Sequence, residues 1–301
     1  MSYLFHIVIL FCIYSMLSLS LNMIVGLTGM FNLGHIAFFG IGAYCSALLA
    51  LQGLPFMLCL FLGALLAGVI GYFIGIPTLK LKGDYLAIAT LGLGEFIRSV
   101  FNNWMGLTRG PMGLPGIPKP NIFSLHIKST ESYLILVLII FFLTFLIIEK
   151  LFRSPYGRVL KGIREDEFAA EALGKDVFRF KLHALFLGCF FAGMAGSLYA
   201  HYISFIDPSS FTIQQTIFIL IMVVLGGMGN NIGAILGAAI VISIPELLRL
   251  LNLPGPVTGA LKQMTFSILL ILLILFRPGG ILGREKSRVE RFEEVDDNLE
   301  D

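Results

Sequence analysis

Residues 133–151 read YLILVLIIFFLTFLIIEKL. From Leu134 to Ile148 the only polar side chain is Thr144. A helix rises about 1.5 Å per residue, and about 20 apolar residues cross the hydrocarbon core of a bilayer. No water reaches the backbone there, so such a run must satisfy its own hydrogen bonds as a helix. The rest of the chain follows suit. Hydrophobic residues make up 57% and charged residues 13%, with a mean hydropathy of +0.89. Soluble domains carry about 25% charged residues. Further candidate spans lie at 4–26, 34–52, 55–77, 85–104, 182–203, 213–226, 232–251 and 261–276. A transmembrane barrel would show alternating segments of about 10 residues instead. The expected fold is all-α: a polytopic transmembrane helical bundle of about eight to ten spans with broken helices. The count is lowest if 34–52 is re-entrant and highest if another segment is split.

Several functional classes are disfavoured. A net charge of +2, with no basic tract, gives no sign of nucleic-acid binding. Cys12, Cys45, Cys59 and Cys189 stand singly in apolar segments, without metal-ligand spacing. The five histidines are scattered, and no metal site is expected. No unpaired acid sits at a span centre, which argues against a proton- or sodium-coupled carrier. The first apolar run has no Lys or Arg ahead of it, so it is expected to be a retained span, not a signal peptide.

Basic residues set orientation, because Lys- and Arg-rich loops stay in the cytoplasm. Segment 152–181 holds Arg153, Arg158, Lys161, Arg164, Lys175, Arg179 and Lys181. Lys80 and Lys82 mark the short loop 78–84, and five bases lie in the tail from Arg277. These three are expected in the cytoplasm, and 106–132 in the periplasm. The domain reading is a transmembrane domain over 1–283 and a charged, disordered cytoplasmic tail over 284–301.

Residues 161–181, KGIREDEFAAEALGKDVFRFK, gather five acids and five bases in an otherwise apolar chain. Ser154-Pro155 has the form of a helix N-cap followed by Pro at the first helical position. Glu165, Asp166 and Glu167 put acids at the start of a second short helix, and Gly174-Lys175 closes it. The stretch reads either as a solvated loop that sets topology or as a docking surface for a partner. Topology needs only bases; the acids and the capped helix of small residues point to docking.

Two glycine-rich interruptions stand out: Gly26, Gly29, Gly34, Gly40, Gly42, and Gly226, Gly227, Gly229, Gly233, Gly237. Each contains Gly-Met followed closely by Asn, at Asn32 and Asn230. Interrupted apolar segments in both halves of a transporter point to the solute path, whereas small residues also serve close helix packing. Gly40 and Gly237 read as packing residues. Asn22, Gly26, Gly29, Asn32, His35, Gly227 and Asn230 are the candidates for the translocation path, with a satisfied, capping role as the alternative for His35 and Asn22. Glu95 with Arg98, and Glu246 with Arg249, are three apart on one helix face each. They read as self-neutralising pairs or as receivers of a binding protein's charged lobes.

With these residues in view, the chain resembles the branched-chain amino acid type of ABC importer permease, of the LivM-like kind. The resemblance runs in order through LSLNMIVGLTGMFNLGHIAFFGIGAY at 19–44, LKGDYLAIATLGLGEFIR at 81–98, TRGPMGLPGIP at 108–118, GIREDEFAAEALG at 162–174, MVVLGGMGNNIGAILGAA at 222–239, IPELLR at 244–249 and RPGGILG at 277–283. It departs from the general importer signature at Phe168, where a Glu would stand, and lacks that signature's later Leu-Pro. The resemblance implies a type II-like permease in the bacterial inner membrane. It would pair with a homologous permease subunit, two cytoplasmic ATPase subunits and a periplasmic binding protein that delivers leucine, isoleucine or valine. A related branch carries urea or short amides; a stand-alone carrier is the remaining alternative. The permease would not be an enzyme and would bind no cofactor itself, with ATP-Mg held by the ATPase subunits. ATPase coupling would fall on Arg164, Glu165, Asp166, Glu167, Phe168, Ala169, Ala170 and Gly174.

The charge asymmetry makes a direct prediction. In a cysteine-free background, Ser124→Cys should react with an impermeant thiol reagent in cells with a permeabilised outer membrane, and Lys161→Cys should not. The opposite labelling pattern would invert the orientation.

Overall fold

Helix α1 (Ser2–Thr28) is apolar around its whole circumference, so no face of it is suited to water. The bundle accordingly closes around it. In the computed structural model, which describes residues 2–81, 83–122, 125–126, 129–250, 264–265, 268, 271 and 279–282, Ile9, Ile13, Met16, Leu17, Leu21 and Ile24 of α1 are fully buried. Helices α2 (His35–Leu51), α3 (Phe56–Thr78), α4 (Asp84–Asn103), α6 (Thr130–Arg153), α9 (Val177–Ile203), α10 (Ile213–Gly226) and α11 (Asn231–Leu250) complete the long elements. Between them lie the short α5 (Met105–Thr108), α7 (Pro155–Glu165) and α8 (Glu167–Ala172). The first eight expected spans each coincide with one of these long helices to within a few residues at α9 and closer elsewhere. The ninth, 261–276, falls largely outside the described residues, as does the tail 284–301.

Burial separates the helices into two classes. The most apolar stretch of α9 is 67% buried and that of α6 only 28%. Helix α6 exposes Ile135, Ile139, Phe142 and Leu146 along one side, at the 3–4 spacing of a lipid-facing stripe. At the centre, α2, α3 and α9 approach closely through small residues. Gly63, Ala67 and Gly71 recur every fourth residue on α3, and Gly42 of α2 lies against Gly193 of α9. Without a hydrophobic force between helices in lipid, this close approach supplies the dispersion contact. Gly40 packs against Phe101 and Phe211, and Gly237 against Met222, the packing role expected of both.

Two ends can be told apart. At one, His6 Nδ1 meets Tyr202 Oη at 2.6 Å, Tyr133 donates to the Leu198 carbonyl at 2.6 Å, and His201 bonds Ser46 and the Pro118 carbonyl. There β1 (Leu114–Pro115) pairs antiparallel with β4 (Phe205–Ile206), while β2 (Asn121–Ile122) and β3 (Leu125–His126) form a small hairpin. The other end collects the C-termini of α1, α3 and α6, the N-terminus of α9, and the α7–α8 segment. Lys80, Arg153, Arg158, Lys161, Arg164, Lys175, Arg179 and Lys181 lie in these elements or within three residues of them, so the basic loops share one end.

Neither interruption lies beyond the bundle. His35, the first residue of α2, bonds Ser20, which lies eight residues before the end of α1 and so about 12 Å inside it. Asn231, the first residue of α11, bonds Asn22, about 9 Å inside. Helix α2 is therefore short because it begins at depth. It runs from there to the far end, where Ser46 meets His201, and is not re-entrant.

The central packing can be tested. In Gly42→Val the new side chain must overlap the Gly193 backbone, so the thermal midpoint of the detergent-solubilised protein should fall, by an overpacking cost of about 1–3 kcal/mol or more. Gly92→Ala meets open space inside α4 and should hold the midpoint or raise it slightly.

Candidate functional site

The charged loop folds as its cap residues dictate. Ser154 accepts a hydrogen bond from Gly157 N at 3.2 Å and Pro155 opens α7. Leu160 and Ile163 turn into the bundle. Asp166 accepts from Ala169 N at 3.0 Å and starts α8. Gly174 N and Lys175 N donate to the carbonyls of Glu171 and Ala170, which ends it. The Tyr156 ring stacks on Phe180 and its hydroxyl donates to the Phe180 carbonyl at 3.1 Å; burial raises its pKa.

The eight residues expected to meet an ATPase divide. Glu165, Asp166, Phe168, Ala169 and Gly174 are exposed, Phe168 at 73%. Ala170 is buried and packs inward with Leu160, Ile163 and Val177. Glu167 is partly buried and ion-paired with Lys181 of α9. Arg164 keeps exposed surface, but its guanidinium reaches back to the Gly26 carbonyl of α1 at 2.7 Å. The expectation of an outward docking role for Ala170 is thus corrected. Its small side chain lets α8 lie close to the bundle.

The two interruptions meet. Asn22 Oδ1 accepts from Gly229 N at 2.8 Å, and its amide donates to Asn231 Oδ1 at 3.1 Å. Asn231 in turn donates to Glu149 Oε2 of α6 at 2.8 Å, and Arg153 Nε donates to Glu149 Oε1 at 2.6 Å. Gly29 and Gly229 adopt φ of 71° and 86°, a region that side-chain-bearing residues rarely occupy. Gly26 lies within α1, not in the interruption; a Cβ there would press on Gly229. The C-terminal segment closes the second turn: Ile281 N and Leu282 N donate to the Leu225 and Gly226 carbonyls at 2.8 and 3.1 Å, and Asn230 donates to the Leu282 carbonyl at 2.9 Å. Gly227 lies against Gly280 in this contact.

The remaining polar candidates also bond within the chain. Asn32 Oδ1 accepts from Gly34 N at 3.0 Å, and Leu33 N donates to Thr90 of α4 at 3.1 Å. His35 is fully buried, with Nε2 on the Ser20 hydroxyl at 2.8 Å and its ring edge on Phe38. A hollow bordered by Ile24, Met30, Asn32, Thr90 and Leu185 has room for about one water molecule. Glu95 and Arg98 form their own ion pair at 2.7 Å, the self-neutralising arrangement. Glu246 bonds Tyr3 of α1, and the side chain of Arg249 lies outside the described residues. Among the described residues, no three His, Cys, Asp or Glu side chains gather as a metal site would require.

Comparison with known proteins agrees with this arrangement. The family model described as "Branched-chain amino acid transport system / permease component" matches residues 3–276. The chain belongs to this permease family. LivM of Escherichia coli (strain K12), a high-affinity branched-chain amino acid transport system permease protein, is 38% identical over 92% of this chain and 69% of its own. A probable LivM of Methanocaldococcus jannaschii is 30% identical over 92% of both chains. LivH of Salmonella typhimurium is 28% identical over 90% of this chain and 91% of its own. No solved structure matches. The permease is thus a multi-pass membrane protein of a transport family.

Glu149 and Asn231 are the participants that sequence reading did not single out. Glu149 looks like the polar edge of an apolar span, and only the fold brings it to Asn231. Asn231 carries a faint signal, as the second of two adjacent amides at a helix start.

The junction makes a stability prediction. Asn22→Leu leaves the Gly229 N–H and the Asn231 amide without their buried partner, at a cost of ~1–3 kcal/mol. The thermal midpoint of the purified permease should fall, with membrane insertion preserved. An unchanged midpoint would mean that the amide bridge does not hold the two turns together.

Proposed function

We propose that the permease is the membrane subunit of an ATP-driven importer of leucine, isoleucine and valine. A periplasmic binding protein delivers the solute, and two cytoplasmic ATPase subunits bind ATP-Mg and dock on α8. The solute class rests on the relatives, whose names assign them branched-chain amino acid transport. The observation that carries the coupling role is the exposed face of α8. Phe168 and Ala169 stand outward on a six-residue helix, with Glu165 and Asp166 exposed at the joint before it; the helix is capped at Asp166 and tied to α9 through Glu167 and Lys181. A short, capped, ion-paired helix is stiff enough to pass on a push. The two LivM and LivH kinds of relative support pairing with a second, homologous permease subunit. The hollow beside Asn32 and Thr90 has room for about one water molecule, too little for an amino acid, and in this reading the path forms between two subunits. In this reading Asn22, Gly26, Gly29, Asn32, His35, Gly227 and Asn230 shape the wall of that path and hold its turns, and do not bind solute tightly. Selectivity belongs to the binding protein.

Reconstitution tests this reading. The permease co-expressed with its sister subunit and ATPases should drive ATP- and binding-protein-dependent uptake of labelled leucine, and excess urea should not compete. Glu165→Lys and Phe168→Asp should lower ATPase co-purification and uptake together, by about 30-fold where a buried charge pair is broken. A tail change, Glu293→Lys, should do little. Normal ATPase binding by both loop variants would leave the loop as a topology signal only, and uptake of urea in place of leucine would move the permease to the amide-transporting branch.

A further inference from the structure

We propose that Arg164 is the link through which movement of α7 and α8 reaches both helix interruptions. This rests on the coupling role proposed for α8, and goes beyond it by assigning the transmission to one side chain. The last carbonyls of a helix have no partner within it, and inside a bilayer water does not supply one. In α1 the Ile24 carbonyl takes the Thr28 hydroxyl at 2.6 Å and the Val25 carbonyl takes Gly29 N at 3.0 Å. The Gly26 carbonyl would need Met30 N, but the chain has left the helix by then, and Met30 N turns to the Thr28 hydroxyl. Helix α1 has no basic residue in its last turn to fill the gap. Arg164 Nη1 fills it from outside at 2.7 Å, placing a cation at the negative end of the helix dipole.

The same side chain touches both interruptions. Its Cγ lies 3.3 Å from where a Cβ on Gly29 would be, and its Nη1 lies 3.1 Å from where a Cβ on Gly229 would be. The Arg164 side chain therefore occupies a slot left by one glycine from each turn, its stem beside Gly29 and its guanidinium beside Gly229. A closed ring of bonds runs on from there. It passes from Arg164 to α1, through Asn22 to Gly229 and Asn231, and through Glu149 to Arg153, one residue before the Ser154 that starts α7. At its base, Arg164 is two residues from Asp166, where α7 gives way to α8. A tilt of α8 at that joint moves the guanidinium, and the Gly26 carbonyl and both turns must follow or lose their partner.

A docking residue and a transmission residue differ in what their loss does. In the assembled transporter, Arg164→Ala should lower ATPase co-purification much less than Phe168→Asp does. Stimulation of hydrolysis by the liganded binding protein, and leucine uptake, should each fall about tenfold or more, as expected when a charge-assisted bond is removed. Arg164→Lys, which still offers one N–H donor, should recover part of both. Where Arg164→Ala lowers the amount of permease in the membrane, Arg164→Lys carries the test, with uptake per ATP hydrolysed as its readout; a wild-type ratio there overturns the proposal. Loss of ATPase binding by Arg164→Ala, parallel to Phe168→Asp, would make Arg164 a docking residue. Normal stimulated hydrolysis and uptake would make its bond to Gly26 a passive cap. Failure of the wild-type permease to bind an ATPase would instead overturn the coupling role of α8 itself.

Discussion

A carbonyl at the end of a helix must find a donor, and inside a bilayer it must find one in the protein. The permease ends two helices toward its basic end, α1 at Thr28 and α10 at Gly226. The fold is organised around supplying those ends. Arg164 reaches in from α7 to one, and the backbone of Ile281 and Leu282 covers the other. Each donor comes from a part of the chain remote in sequence. The turns can therefore keep their irregular backbone only while those remote parts stay in position.

That dependence explains why the amides at the two turns are engaged within the chain. Asn22 is fully buried and uses both its oxygen and its amide within the chain, on Gly229 and Asn231. An unpaired amide in such a place would cost more than the bond it makes contributes. The small residues serve the same end by another route. Gly42 and Gly193 bring α2 and α9 close enough that dispersion holds them, which keeps the start of α2 against α1 at Ser20. Rigid packing at the core and a hydrogen-bonded ring at the basic end leave the α7–α8 joint as the element that faces outward. This is the layout a transport subunit needs if force is to enter at one end and act on turns deeper in the membrane.

Much of this was legible in the chain. The 133–151 run and its companions demand helices because hydrocarbon allows only helices and closed barrels, and unbroken apolar runs of this length lack a barrel's alternation, so the spans follow from composition and length alone. Capping is equally local: Ser154 with Pro155, and Asp166 with Gly174, act on donors and acceptors within a few residues, so α7 and α8 could be read directly. The clustering of Lys and Arg also marks one end, since the long helices alternate in direction. What the sequence could not disclose is partnership at long range. Arg164 read as a residue that meets the ATPase, and Ala170 as part of an outward face, because neither the Gly26 carbonyl nor the inner wall at Leu160 is near them in the chain. Glu149 was invisible for the same reason, lying 82 residues from the amide it accepts from. Local chemistry determined where helices start, stop and cross; only the tertiary structure decided which broken end each side chain would complete, because that choice depends on distances the chain sets only when it is packed.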